Sequence, residues 1–245
     1  METGPTLLWR TLAERFVARG SAPALASAEE MISYADLVDR AMRHGREISA
    51  FTVAPGRWPV NEADGPVQTL IGVLAAWAAG LVPIVLRRTL PEPARAATLK
   101  LLATAPQTDA EGLLGRTSGT TGAPKLAAMP GAGVLRSMAM IAEGFGWRET
   151  DRLLAATSLS YSLGLTGGAL AALYAGAEVH VVPPGAPVPS FMRRMRGQEI
   201  TLAQGPASLH RIMDRLATGA FESVRVVGQG GEVCPPAVDA AMRRL

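Results

Sequence analysis

Apolar residues recur along this chain with two alternating periods, and the alternation predicts an α/β protein. Leu8, Leu12, Phe16 and Val17 share one face of a helix expected over residues 6–19. The segment Ile32-Ser33-Tyr34-Ala35-Asp36-Leu37 predicts a short strand leading into a second helix, with Ser33 as its N-cap. Residues 67–79 predict an alanine-rich helix and 81–86 a buried strand. Short extended segments follow at 112–116 and 126–129, then a helix at 133–145 and a strand at 152–156. The remaining pattern predicts helix 164–174, strand 178–182, strand 200–203, helix 207–216, strand 224–227 and helix 236–245. This repeated alternation implies layered, largely parallel sheets flanked by helices. Sheets of that kind bind ligands at the carboxyl ends of their strands.

Two stretches interrupt the pattern. Residues 69–86 carry no charge over 18 positions, near the lower length limit for a membrane span. Gly80 and Pro83 divide the run, so a buried helix followed by a buried strand is expected and a membrane span is not. The Pro- and Ala-rich residues 91–110 are assigned no element, and 183–189, with four prolines in seven residues, predict a stiff surface loop.

Composition narrows the function classes. A chain of 245 residues that is 48% hydrophobic can bury a substantial core. Its net charge of +3 is modest and its arginines are scattered among acids, which excludes a nucleic-acid surface from the expectations. The one cysteine, Cys234, permits no internal disulfide and suits a reducing cytoplasm. His44, His180 and His210 have no zinc-ligand spacing, and the first ten residues do not form a signal peptide.

The chemistry concentrates in Arg116-Thr117-Ser118-Gly119-Thr120-Thr121-Gly122-Ala123-Pro124-Lys125. Glycines let a backbone turn tightly with its N–H groups outward, hydroxyls add short rotatable donors, and lysine adds a compact charge. Of 24 Lys and Arg residues, only Lys100 and Lys125 are lysines. A guanidinium is a broad rigid fork that does not replace a lysine in a tight loop. The block therefore reads as a polyphosphate-binding loop, with a flexible Ser/Thr/Gly linker as the competing reading. It is not a Walker loop, because Pro124 precedes the lysine and Leu126 follows it. No G-x-G-x-x-G opens a helix, so a dinucleotide fold has no support.

Thr117 through Lys125 resembles the phosphate-binding loop of the AMP-forming, acyl-activating enzymes: acyl-CoA synthetases, luciferases and peptide-synthetase adenylation domains. Their loop reads roughly Thr/Ser-Ser-Gly-Thr-Thr-Gly-x-Pro-Lys. Weaker matches follow in family order. The segment 32–37 is similar to a Thr-Tyr-x-Glu-Leu motif, and 76–90 to an Ala-Gly-x-x-x-x-Pro stretch. Leu159-Ser160-Tyr161-Ser162-Leu163-Gly164 stands where the family has Phe-His-x-x-Gly, and residues 226–233 are similar to its strand ending in a Gly-Gly turn.

The resemblance implies that Thr117, Ser118, Gly119, Thr120, Thr121, Gly122 and Lys125 hold the phosphates of ATP. It implies that Gly231, Glu232 and Val233 lie against adenine, and that Tyr161 and Gly164 border the acyl and thiol site. A core tyrosine is the plain alternative for Tyr161, and ordinary strand–turn–helix punctuation for the glycine turn. The helix after Gly164, with Gly167 and Gly168, could line an acyl pocket or serve close packing. No catalytic residue and no metal ligand is assigned within the chain.

The implied reaction joins a small carboxylic acid, fatty or aryl, to AMP at the expense of ATP with Mg2+. The acyl group then passes to coenzyme A or to a carrier-protein phosphopantetheine. Residues 1–245 correspond to a partial N-terminal AMP-binding domain, because the family's later motifs and small C-terminal domain would lie beyond Leu245. The expectation is thus a fragment or split subunit, partnered by a complementing C-terminal polypeptide or an acyl carrier protein. A non-catalytic nucleotide- or acyl-binding module is the alternative.

Overall fold

The computed structural model describes residues 6–50, 56–104, 111–116, 125–183, 185–217 and 219–244. In chain order the elements begin α1 (Leu7–Arg19), β1 (Pro23–Ala26), β2 (Met31–Ser33), α2 (Tyr34–Ser49), β3 (Arg57–Asn61), α3 (Pro66–Ala78) and β4 (Val82–Leu86). Next come α4 (Glu92–Thr104), β5 (Glu111–Arg116), β6 (Leu126–Pro130), α5 (Gly131–Gly144) and β7 (Arg152–Ala155). A π-helical turn at Leu165–Ala169 runs into α6 (Leu170–Ala175). The remainder holds β8 (Glu178–Val181), α7 (Val188–Gly197), β9 (Leu202–Gly205), α8 (Ala207–Leu216), β10 (Val226–Gln229) and α9 (Pro236–Met242). The chain divides into two compact units, one of Met1–Ala22 with Ile32–Ser137 and one of Pro23–Met31 with Met138–Leu245.

In the first unit, local side-chain caps start the helices that the sequence predicts. Thr6 Oγ1 accepts from the Trp9 N–H at 3.1 Å and opens α1, and Ser33 Oγ accepts from the Asp36 N–H at 3.1 Å and opens α2. Helix α2 buries Tyr34, Leu37, Val38, Ala41, Gly45 and Ile48, a stripe at helical spacing. Gly45 matters because a Cβ there would stand 2.9 Å from the Ala75 carbonyl oxygen of α3. Helix α3 is buried along Thr69–Trp77, so the uncharged run at 69–86 is a core helix and a core strand. Among the described residues no helix is long and apolar enough to cross a membrane.

The sheet of this unit runs β3-β4-β5-β6, with β3, β4 and β5 parallel and β6 antiparallel to β5. Ile48, Ala75, Ala76, Ala79 and Leu81 form one apolar cluster, and Ile84, Leu86, Leu102 and Leu114 another against α4. The indole N–H of buried Trp77 donates to the Gly112 carbonyl at 2.5 Å and ties α3 to β5. Two elements here have no assignment from sequence. Pro59 sits in β3, an edge strand where a missing N–H is tolerated, and α4 fills the Pro- and Ala-rich stretch with Pro93 in its first turn.

The second unit carries a parallel sheet in the order β10-β9-β7-β8-β1, continued at its edge by β2, whose Met31 belongs to this unit. Its core gathers Leu154, Phe191, Met192, Met195, Ile200, Ala203, Met213 and Phe221. Phe191, Met192 and Met195 belong to α7, so the proline-rich residues 183–189 end inside a helix rather than wholly in a loop. Pro187 is its N-cap and Pro189 lies in its first turn, where a proline disturbs no hydrogen bond. The expected helix at 164–174 opens with five π-helical residues before α6.

One polar cluster ties the amino ends of three strands together. Asp151, 3% exposed, precedes β7; Thr201 precedes β9; Arg225 precedes β10. Asp151 Oδ1 accepts from Thr201 Oγ1 and from Arg225 Nε, both at 2.7 Å. Its Oδ2 accepts from the Arg148 N–H at 2.7 Å and from Arg225 Nη2. Burial alone would raise this carboxyl; the hydrogen bonds from Arg225, Thr201 and Arg148, with the Arg225 charge, outweigh it and hold the group below its ordinary value.

Removing the cation leaves a buried carboxylate uncompensated, so Arg225→Met lowers stability at neutral pH by about 2–3 kcal/mol in urea unfolding. The depressed carboxyl contributes stability that is fully present above the unfolded-state value of about 4 and is lost as pH falls through the folded-state value. The stability gap between wild type and Asp151→Asn therefore narrows from pH 7 to pH 3. A gap that stays constant would remove Asp151 from the acid response.

Candidate functional site

The residues singled out by sequence fall in both units. In the first, β5 and β6 pair antiparallel in the register Leu114 with Ala128, Gly115 with Ala127 and Arg116 with Leu126. The stretch 117–125 is thus the connection between two hydrogen-bonded strand ends. Thr117, Ser118, Gly119, Thr120, Thr121 and Gly122 lie outside the described residues. Lys125, at the start of β6, is exposed. Arg116, at the end of β5, has a buried Nε without a hydrogen-bond partner among the described residues. Arg116 opens the signature block, but the sequence alone gives it no role; its burial is a property of the hairpin's packing.

In the second unit, the parallel strands β7, β9 and β10 send their carboxyl ends out on one side of the sheet. The chain leaving β7 folds back on itself through short hydrogen bonds. The Ser158 and Ser160 hydroxyls are 2.8 Å apart, the Tyr161 N–H donates to the Ser158 carbonyl at 3.2 Å, and the Leu165 N–H donates to the Tyr161 carbonyl at 2.9 Å. Gly164 sits in contact with this loop: a Cβ on it would lie 2.3 Å from the Ser158 oxygen and 2.7 Å from the Thr157 oxygen. Tyr161 is 46% exposed, which overturns the plain core-tyrosine alternative.

The turn after β10 lies beside the same loop. The Leu163 side chain contacts both glycines of the turn, its Cδ1 2.9 Å from the Cβ position of Gly230 and its Cδ2 3.8 Å from that of Gly231. Gly231 has φ +81°, a left-handed conformation that favours glycine. The Gln229 side-chain amide donates to the Glu232 carbonyl at 2.7 Å and closes the turn. Glu232 Oε1 accepts from the Ser208 N–H at 3.0 Å, so its carboxylate caps the first turn of α8. Val233 is 85% exposed. Gly231, Tyr161 and Gly164 are thus gathered at the carboxyl ends of β7 and β10, while the Glu232 side chain turns toward a helix.

Two further residues belong here that the sequence did not mark. His210 of α8 is buried and its Nε2 donates to the Gly228 carbonyl at 2.9 Å; burial pushes its pKa down, which the bond to Gly228 only partly offsets. The neutral ring anchors α8 to β10. Gln204, at the end of β9, lays its side chain against Gly168 and Gly228. The one local signal for it is a polar residue breaking an apolar strand just before Gly205-Pro206.

Comparison with known proteins gives the family and the fold. Residues 113–245, more than half of the chain, match the family model described as AMP-binding enzyme. Tyrocidine synthase 3 of Brevibacillus parabrevis is 28% identical over 86% of this chain, which corresponds to 4% of that protein. Among solved structures, the O-succinylbenzoate coenzyme A synthetase of Bacillus subtilis in complex with AMP superposes with a TM-score of 0.82 at 19% identity. That match covers 95% of this chain and 56% of the synthetase, so the chain spans about half of that relative's length. The N-terminal subdomain of Klebsiella oxytoca NpsA in complex with 3-hydroxybenzoyl-AMSN superposes with a TM-score of 0.78 at 18% identity, covering 96% of this chain and 68% of that one. At these identities the structural likeness is one of fold, and the family rests on the matched sequence: the chain belongs to the AMP-binding enzyme family.

Proposed function

We propose that this chain forms the nucleotide- and acid-binding part of an AMP-forming ligase that activates a small carboxylic acid as its acyl-adenylate. The observation that carries the reading is the β5–β6 hairpin. The pairing of Arg116 with Leu126 holds the two ends of Thr117–Lys125 side by side, as a phosphate-binding loop requires. Arg116 supplies a buried donor in want of an acceptor at one of those ends. A phosphate oxygen would satisfy it.

In this reading the hydroxyls of Thr117, Ser118, Thr120 and Thr121 and the ammonium of Lys125 contact the β- and γ-phosphates, and Gly119 and Gly122 allow backbone N–H groups to face them. Gly231, Glu232 and Val233 border adenine through their backbone, and Tyr161 and Gly164 border the acid. Residues 1–245 act as part of an N-terminal AMP-binding domain. The synthetase of B. subtilis has been solved with ATP and magnesium ion, and MatB of Rhodopseudomonas palustris with ATP, which supports ATP as the nucleotide here. Mg2+ supplies charge neutralisation when bound with the nucleotide. Among the described residues there is no cluster of three or more His, Cys, Asp or Glu side chains that could hold a metal ion.

The reaction brings two anions together. A carboxylate oxygen of the acid forms a bond to the α-phosphorus, the bond from that phosphorus to the bridging oxygen breaks, and pyrophosphate leaves with the electron pair. The loop's donors hold the β- and γ-phosphates in line and disperse the leaving-group charge. A thiol of coenzyme A or of a carrier-protein pantetheine then takes the acyl group and releases AMP. A complementing C-terminal polypeptide or domain would complete the site.

Lys125→Ala weakens ATP binding about 10- to 100-fold by calorimetry, the loss of one charge-assisted contact at an exposed side chain. Unaltered ATP affinity would overturn the loop assignment. Gly164→Ala forces the 156–164 loop to move, since its Cβ meets backbone oxygens rather than a flexible side chain. It lowers both stability, by about 1–3 kcal/mol, and acyl-adenylate affinity. Gly144→Ala, in a helix with open space at its Cβ, leaves acyl-adenylate affinity unchanged and does not lower stability.

A further inference from the structure

We propose that Glu232 is a positioning residue for the nucleotide: its carboxylate splints the turn after β10 to the start of α8 and so holds ready the backbone that receives adenine. The proposal rests on the ligase reading above and adds to it the side chain that shapes the adenine border.

The turn cannot hold its shape by packing. Gly231, Glu232, Val233 and Cys234 are all exposed, so no side chain of the four is anchored in the core. Gly230 and Gly231 stand at its start, where the backbone has most freedom to lose, and Gly231 adopts φ +81°. The strand that delivers the turn, β10, is an edge strand whose four residues are each only partly buried. Hydrogen bonds must do what packing does not.

Three side-chain ties run between α8 and this segment, one to each of its parts. His210 Nε2 donates to the Gly228 carbonyl at 2.9 Å and fixes the strand before the turn. Asp214 accepts two bonds from Arg244, both at 2.8 Å, just past the end of α9. Between them Glu232 Oε1 accepts from the Ser208 N–H at 3.0 Å.

The middle tie acts on the turn itself. Pro206, the N-cap of α8, has no side chain that accepts a hydrogen bond, so the helix lacks a cap of its own. The Glu232 carboxylate takes that place from 24 residues away, and its charge suits the positive end of the helix. Gln229 holds the same residue from the other side, its Nε2 donating to the Glu232 carbonyl at 2.7 Å. Residue 232 is thus fixed by carbonyl and carboxylate together, and the peptide groups beside it are fixed in direction. A backbone ordered before the ligand arrives loses less freedom on binding, which raises affinity without a new contact. Because the effect runs through the Ser208 N–H, it can be separated from any direct contact.

The test uses the full chain and two probes in calorimetry: AMP, which engages the turn in this reading, and inorganic tripolyphosphate, which does not. Glu232→Ala should weaken AMP about three- to twenty-fold and leave tripolyphosphate affinity within about two-fold. Glu232→Gln, which keeps an acceptor oxygen, should restore most of the AMP affinity. Ser208→Pro deletes the N–H at a first-turn position, where proline is tolerated, and should weaken AMP as much as Glu232→Ala. The double variant should lose no more than either single one, because both break one bond. Should Ser208→Pro fold poorly, amide exchange gives the second reading: the Ser208 N–H is protected in wild type and loses that protection in Glu232→Ala. Unchanged AMP affinity in Glu232→Ala would overturn the proposal, as would an unprotected Ser208 N–H in wild type. So would a loss that a folded Ser208→Pro does not reproduce, since the carboxylate would then act on the ligand itself, or an equal loss for both probes. Each of these leaves the ligase reading intact. Failure of wild type to bind either probe overturns that reading, and the proposal with it.

Discussion

The buried carboxylate of Asp151 fixes the amino ends of β7, β9 and β10 relative to one another, and the arrangement at their carboxyl ends follows from it. Each strand has four residues, about 13 Å of extended chain, so the ladders between them contain few hydrogen bonds. A slip of one residue would turn every side chain of a strand to the opposite face of the sheet. Thr201 and Arg225 resist that slip by bonding the same carboxylate. With the register held at one end, Gln204, Gly228 and the chain leaving β7 emerge side by side at the other. Stability at the amino ends and recognition at the carboxyl ends are two consequences of one constraint.

The β5–β6 hairpin solves a different problem. A loop that contacts phosphate needs exposed N–H and hydroxyl groups in its middle and fixed positions at its ends. Antiparallel pairing up to Arg116 and Leu126 provides the fixed ends without requiring any packing from the loop itself. The two cations also divide the work by shape. Arg116 places a planar group partly inside the protein, and Lys125 places a compact charge on the exposed side. In a chain that otherwise writes all but one of its cations as arginine, this is where a guanidinium is the wrong shape.

Much of this was legible in the sequence because it is local. Thr6 and Ser33 announce helix starts through hydroxyls that cap donors three residues on, and α8 occupies residues 207–216, the span its apolar spacing predicts. The elements left unassigned, β1, β3, α4 and α7, each contain a proline. Pro23 begins β1, Pro59 lies on an edge strand, and Pro93 and Pro189 occupy first turns of α4 and α7, all positions where a missing N–H costs nothing. The candidate site was legible as motifs and not as contacts. Tyr161, Gly164 and Gly231 stood out by order and spacing, but the bond between Asp151 and Arg225 joins residues 74 positions apart with nothing local to mark it. Gln204 is marked only as a polar residue in an apolar strand, since its neighbours Gly168 and Gly228 come from other elements.

Glycine recurs around the carboxyl ends of these strands and leaves few side chains there. Gly164, Gly168 and Gly230 each bring backbone or side-chain atoms closer than a Cβ would allow, which packs the loops tightly. Each also raises the entropy cost of ordering its segment. A lining made largely of backbone presents nearly the same N–H and C=O groups to any ligand. Of the side chains that remain, Leu163 is held against Gly230 and Gly231. The Gln204 side chain lies against Gly168 and Gly228.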